Sequence, residues 1–447
     1  MVVDLINKIK EAGVVGAGGA GFPTHVKINC KADTFIINAA ECEPLLSTDQ
    51  YLMREKSQDI IEAINEVANH VGARRRVIAI KKKYTEEIKS LQQSLHKNGA
   101  SIELYLLDNF FPAGDEQIMV YEVTGRIVPE GGIPLDVDTV VSNVGTMVNI
   151  KDAILGKAVI NKYVTIIGEV NEPKLLRVPI GAAIIDCIKE AGGAKEDDYS
   201  VVLGGPMMGR VLDQEKLKDQ FITKTVGAVI ILPKDHYIIN RNKTPIQHII
   251  NQAKSACIQC RYCTDLCPRY LIGHRLRPHL IMGAISTRTI EDEVFQEAMI
   301  CCECGICELY ACPMGLSPRI INAYLKNYLR QKNFRPAKFD GELQANEARD
   351  YRKIPTDRLM AKINVQSYSH QKFKRAYSIK VSSVGIPLKQ HIGVMSEAIV
   401  ALGDWVEEGQ MIGRVPDGKL GANVHASISG VIMEIGDIIR IQEGDGG

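Results

Sequence analysis

Nine of the twelve cysteines in this 447-residue chain fall between Cys257 and Cys312. Residues 257–268 read CIQCRYCTDLCP, with thiols at Cys257, Cys260, Cys263 and Cys267 followed by Pro268. Residues 301–313 read CCECGICELYACP, with Cys301, Cys304, Cys307 and Cys312 at nearly the same spacing. Three thiolates separated by two residues each can converge on one face of a cubane. The fourth, after a longer gap, points elsewhere, and in two-cluster ferredoxins it ligates the other cluster. The spacing therefore predicts two [4Fe–4S] clusters with exchanged ligands. Cys257, Cys260, Cys263 and Cys312 would hold one, and Cys301, Cys304, Cys307 and Cys267 the other. The competing chemistry is structural zinc, which calls for four ligands in two pairs rather than two runs of three with an outlying Cys-Pro. Cys302 fits the spacing less well than Cys301 and reads as a buried spare thiol, with the reverse choice left open. Cys30, Cys42 and Cys187 have no ligand spacing and read as small buried hydrophobes.

Clusters of this kind pass single electrons, so another group must feed them. Residues 13–27, GVVGAGGAGFPTHVK, hold the only other chemical signal of comparable strength. Gly16-Ala17-Gly18-Gly19-Ala20-Gly21 satisfies the dinucleotide fingerprint G-x-G-x-x-G. That fingerprint must follow a strand and open a helix. Here the preceding dozen residues have helical periodicity, and Gly21 runs into Phe22-Pro23. The loop is thus a different glycine cradle.

The elements that position these residues change along the chain. Up to about residue 155, apolar strand runs (TFIINAA, RVIAI, SIELYLL, TVVSN) alternate with amphipathic stretches, predicting a parallel α/β sheet. Residues 159–238 read as a small α+β module, and 239–332 as helices around the cysteines. Residues 333–372 are polar and poorly periodic, which predicts a linker. Residues 373–447 carry short β-runs with Gly, Asp and Pro turns. Formal net charge is +1 with 24% charged and 45% hydrophobic residues, which removes any general electrostatic case for nucleic acid. No apolar run reaches the ~18 residues of a membrane span. With no export signal, the clustered thiols point to a reducing cytoplasm.

Several strings, taken together, resemble one family. GAGGAGFPTHVK with NAAECEP, then PAGDEQIM and VSNVGTMVNI, are similar to the flavin site of the NADH-binding subunit of respiratory complex I and of its relative RnfC. The resemblance implies an FMN-binding α/β domain over 1–158, an SLBB-like β-grasp module over 159–238 and a double [4Fe–4S] ferredoxin-like domain over 239–332. After the linker it implies a barrel-sandwich, lipoyl-like domain over 373–447. It implies FMN, two [4Fe–4S] clusters and NADH as cofactors and donor. By carry-over, Gly16 to Gly21, Phe22, Lys27, Asn38, Glu41, Glu43, Asp115, Glu116, Asn143 and Thr146 form the cofactor site. Glu41 and Glu116 are the catalytic candidates, and Phe22 is the adenine-stacking aromatic. Ala40 stands where the complex I pattern has Asp, and GGIPLDV lacks a second aromatic.

The sandwich follows the clusters here, whereas in RnfC it precedes the flavin domain. That order resembles a branch of the family that reduces cobalamin inside propanediol-using microcompartments. It implies electron transfer from NADH to a corrinoid, with an adenosyltransferase, shell proteins or other electron-transfer proteins as partners. The alternatives are an RnfC-like component of a membrane complex and a non-catalytic electron relay. Lys419, near a hairpin tip where a lipoyl lysine would sit, lacks the usual flanking residues and reads as a solvated turn lysine.

Overall fold

The computed structural model describes residues 2–290, 292–334 and 341–444. Helix α1 (Val2–Glu11) precedes the glycine loop, and the short α2 (Thr24–Lys27) follows it. The chain then runs β1 (Thr34–Ala39), α3 (Thr48–Glu55), α4 (Ser57–Val71), β2 (Arg75–Lys81), α5 (Thr85–Asn98) and β3 (Glu103–Leu107). The two-residue β4 (Phe110–Phe111), α6 (Glu116–Thr124), β5 (Thr139–Asn143) and α7 (Val144–Ile154) complete the unit. The sheet order is β3-β2-β1-β5, with every pairing parallel. Such strands are apolar on both faces because helices cover both. Ile60, Ile64, Val67 and Met147 of α4 and α7 pack on one side, and Met119, Val120 and Val123 of α6 on the other. From β1 the chain builds outward to β3, then returns to place β5 on the opposite side of β1. The strand order therefore reverses between β1 and β5, the place where open α/β sheets leave a crevice at their carboxyl ends.

The next unit contains β6 (Asn161–Gly168), β7 (Lys174–Pro179), α8 (Ile184–Glu190), β8 (Tyr199–Leu203), β9 (Arg210–Asp213) and β10 (Ala228–Pro233). Its strands form a mixed sheet around a core that includes Cys187, fully buried as a small apolar residue. Helices α9 (Tyr237–Lys243), α10 (Ile246–Ala256), α11 (Tyr262–Asp265), α12 (Pro268–Leu271), α13 (Pro278–Ala284) and α14 (Pro318–Gln331) surround the cysteine loops over Ile249, Ile281, Phe295 and Leu325.

The expected linker needs correction. Within it, β11 (Ile354–Pro355) pairs antiparallel with β4, and α15 (Thr356–Lys362) follows at once. Ile354, Leu359, Met360, Ile363 and Val365 are buried in one core with Phe111, Ile230 and Ile306, so this segment fastens three units together. Beyond it, β12 (Ala376–Ser378) adds to the β-grasp sheet beside β7. The sandwich proper consists of β13 (Ser383–Pro387), β14 (Glu397–Ala398), β15 (Trp405–Val406), β16 (Met411–Arg414), β17 (Val424–His425), β18 (Gly430–Ile435) and β19 (Ile438–Glu443). These strands form two small sheets, β13-β19-β18-β15 and β14-β16-β17.

Candidate flavin and iron–sulfur sites

The glycine loop is closed at its base by Gly16 N–H donating to Phe22 O (2.9 Å) and Thr24 N–H to Val14 O (3.1 Å). Its crest, Gly18 to Ala20, is exposed. Gly19 has φ +106°, and a Cβ there would meet nothing within 4 Å. The loop is therefore a bare backbone cradle, with room where a ligand group would approach. The loop lies over the sheet's switch point. Ala17 N–H donates to Thr146 Oγ1 (3.0 Å) in the first turn of α7, and a Cβ on Gly18 would rest 3.5 Å from Asn143.

Asn38 and Asn143 are register partners at the ends of β1 and β5. Asn143 caps α7 by accepting from Gly145 N–H (2.8 Å) and donates to Asp49 (2.7 Å). Asn38 donates to Gly114 O (2.9 Å) and accepts from Ala40 N–H (3.0 Å). That links β1 to the segment leading into α6. Asp115 caps α6, taking N–H groups from Gln117 (3.0 Å) and Ile118 (3.1 Å). Its neighbour Glu116 pairs with Lys27 of α2. The glycine loop, Lys27, Asn38, Asp115, Glu116, Asn143 and Thr146 are thus one connected set, and Phe22 lies half-buried at its edge.

Glu41 is half-buried just past β1, its carboxyl within 3.4 Å of Thr48 Oγ1. Burial, reinforced by the Asp49 charge, holds it well above the usual carboxylate range. Glu43 lines the same cavity as Glu41 and also reaches the next unit. Its carboxylate accepts from Met207 N–H (3.0 Å) in the β-grasp unit, and a Cβ on Gly205 would overlap it at 2.0 Å. It holds two units together and does not join the loop set. Burial pushes it up to about 7.

Sequence reasoning missed the supports. Lys162, half-buried on β6, donates to Ala17 O (3.0 Å). Asp49 sits behind Asn143, pushed up to about 6 by burial. Lys224 donates to Gly13 O (2.7 Å) and Asn423 O (2.8 Å), joining the loop's approach, the β-grasp unit and the sandwich. Beside it, Ile392 N–H donates to Gly21 O (3.0 Å), so the sandwich packs on the loop's exit. None of these residues belongs to a short motif, because each partner lies far away in sequence.

The cysteines line two small cavities. Cys257, Cys260, Cys263 and Cys312 line one. Cys267, Cys301, Cys302, Cys304 and Cys307 line the other. The outlying cysteines are thus exchanged between the two loops. Among the described residues no group of three His, Cys, Asp or Glu side chains is arranged to hold a single metal ion. Each cavity is lined by at least four thiols, which suits a cluster with several iron atoms. The two loops share a backbone pattern. Gln259 (φ 54°) and Arg261 (φ 67°) in the first match Glu303 (φ 59°) and Gly305 (φ 82°) in the second. Cys301 thereby occupies the place of Cys257, and each sulfur accepts an N–H from the residue two further on, Gln259 Nε2 at 3.2 Å and Glu303 N at 3.3 Å. Cys301, Cys304, Cys307 and Cys267 are buried, whereas Cys257, Cys260 and Cys312 are partly exposed.

Comparison with known proteins agrees with this division. The chain matches the Nuo51 FMN-binding domain over residues 9–152, the SLBB domain over 163–211, a 4Fe-4S dicluster domain over 256–317 and the RnfC barrel sandwich hybrid domain over 364–445. It is 41% identical to the cobalamin reductase PduS of Citrobacter freundii over 96% of this chain and 94% of that one. The PduS of Salmonella typhimurium is 40% identical over 97% and 95% of the two chains. One component of the proton-translocating ferredoxin:NAD(+) oxidoreductase complex of Clostridium ljungdahlii is 35% identical over 60% of this chain and 57% of its own. A chain of an NAD+-reducing [NiFe]-hydrogenase in the H2-reduced state shares the fold, with a TM-score of 0.50 at 21% identity, covering 75% of this chain and 63% of that one. No helix among the described residues is long and apolar enough to cross a membrane. The flavin-domain and dicluster matches make the chain an NADH-dependent oxidoreductase that uses FMN and [4Fe–4S] clusters. Its match to PduS along nearly the whole length places it in the cobalamin reductase PduS family.

Proposed function

We propose that the chain carries electrons from NADH through FMN and two [4Fe–4S] clusters to a corrinoid, reducing cob(III)alamin or cob(II)alamin. The observation that carries this reading is the spatial order of the sites. The flavin crevice adjoins the buried cysteine nest through Asp115 and Arg269 (2.9 Å), and the second nest lies toward the surface. The relatives named cobalamin reductase supply the acceptor class. FMN, when bound, accepts a hydride and releases electrons singly, which joins a two-electron donor to one-electron carriers.

The chain's residues divide the remaining work. Backbone N–H groups at the crest, Gly18 to Gly21, would face an anionic phosphate, while those of Gly16 and Ala17 close the loop from within, and no side chain on Gly19 blocks the approach. Asn38 and Asn143 would orient the ring from the switch point, Thr146 holds the loop, and Phe22 would offer an aromatic surface to the adenine. Burial and the Asp49 charge favour the neutral form of Glu41, which would lessen the negative charge beside the hydride acceptor. Glu116 holds Lys27 toward the same face. Cys257, Cys260, Cys263 and Cys312 serve the outer cluster. Cys267, Cys301, Cys304 and Cys307 serve the inner one, with Cys301 favoured over Cys302 by the shared loop pattern.

An adenosyltransferase that withdraws the reduced corrinoid is the natural partner, in the cytoplasm and within a microcompartment alongside its shell proteins. The test is anaerobic: NADH, purified protein and a corrinoid-bound adenosyltransferase, followed by adenosylcobalamin formation. NADH-driven product is expected. Its absence, with rapid reduction of a ferredoxin-like acceptor, overturns the corrinoid assignment and favours an RnfC-like role.

A further inference from the structure

Arg269 is the first residue after the Cys267-Pro268 pair, and it belongs to neither cysteine run. Its side chain is 9% exposed, and its Nη2 donates to Asp115 Oδ2 (2.9 Å). The other oxygen of Asp115 is spent capping α6. That carboxylate therefore bridges the flavin-side helix and the loop that delivers Cys267. Cys302 and Cys267, both lining the inner nest, lie within electrostatic reach of the guanidinium. Its Nε is buried and has no hydrogen-bond partner among the described residues. A buried arginine with one carboxylate partner and a spare donor is costly unless a further negative group faces it. Four thiolates around a cluster supply that negative charge, and it grows by one when an electron arrives.

We propose that Arg269 is a positioning residue for electron entry: its charge raises the reduction potential of the inner cluster, and its bond to Asp115 fixes that cluster against the flavin crevice. This rests on the two-cluster reading above. Cluster potentials respond to net charge, hydrogen bonds to sulfur and exposure, and groups beyond the ligands commonly tune them. Removing the cation makes reduction harder, whereas removing the Asp115 charge exposes the cation fully and makes reduction easier. A purely structural role predicts no such opposition of signs.

The experiment is a redox titration of the holoprotein followed by electron paramagnetic resonance, with iron, sulfide and flavin measured on each sample. In Arg269→Gln the inner cluster should titrate at more negative potential. Its reduced-to-oxidised ratio at fixed poise should fall by about tenfold or more, the scale set by one buried charge at close range. Asp115→Asn, which keeps a good helix cap, should shift the same signal the other way. Arg269→Lys should shift it less than the glutamine variant. The outer cluster should move little in all three. Equal midpoints for wild type and Arg269→Gln, or shifts of the same sign in Arg269→Gln and Asp115→Asn, overturn the proposal. If Arg269→Gln loses its iron, the opposed shifts of Asp115→Asn and Arg269→Lys decide it. Wild-type protein without two [4Fe–4S] signals would instead overturn the cluster reading itself.

Discussion

Lys224 is 3% exposed, and its amine donates to Gly13 O and Asn423 O, with no carboxylate among its hydrogen-bond partners in the described residues. Burial pulls it down to about 7 from the usual 10.5. A neutral amine has two N–H donors, which match the two carbonyls it meets. The unfolded chain takes up the proton at higher pH than the folded one, so between pH 7 and 10.5 the unfolded state binds more protons. Stability contributed by this group therefore rises with pH across that window and is flat below it. Replacing it with Met removes the titration and leaves two buried acceptors without a donor, at about 1–3 kcal/mol each. Lys224→Met should thus be less stable at high pH. Its deficit should grow by about 3 kcal/mol between pH 7 and 9.5, the product of the pH interval and 1.36 kcal/mol per unit. The single tryptophan, Trp405, lies in the sandwich that Lys224 ties down. Urea unfolding of wild type and variant, read by its fluorescence at the two pH values, measures the difference. A gap that stays constant or narrows as pH rises would refute the argument and mean that the carbonyls hold the ammonium charged.

Gly19→Val should purify with its iron but without FMN. The backbone at φ +106° resists a β-branched residue, at about 1–3 kcal/mol, while the open space around it spares the rest of the fold; full flavin content would remove the loop from the phosphate site. Cys312→Ser should damage the cluster of Cys257, Cys260 and Cys263, and Cys267→Ser that of Cys301, Cys304 and Cys307, as resolved by paramagnetic resonance. Damage confined to the cluster nearest in sequence would refute the exchange.

The legibility of this chain depended on how far apart interacting residues lie. The alternating strands and helices were readable because each apolar run is local, and the helix before the glycine loop was enough to reject a Rossmann turn. The grouping of Cys312 with the first run and Cys267 with the second, as the two cavities are lined, was readable because the chemistry of a cubane dictates spacing within each run. The tie of Glu43 to the β-grasp unit was not readable because its partner, Met207 N–H, lies 164 positions on and is a backbone group with no side-chain signature. The segment 333–372 read as a linker because its buried residues come in short pieces: Ile354 on a two-residue strand, Leu359 and Met360 on a seven-residue helix. No periodicity can build up over such lengths, and the burial comes from three other units closing around it. Asp49, Lys162, Lys224 and Arg269 share that obscurity. A buried charge draws its meaning from what surrounds it, and on the sequence alone it cannot be told from a solvated one. The sequence motifs thus identify where a cofactor is held, whereas the electrostatics between cofactor sites arise from residues without motifs. The Asp115–Arg269 pair, 154 positions apart, is the point at which the two kinds of information meet.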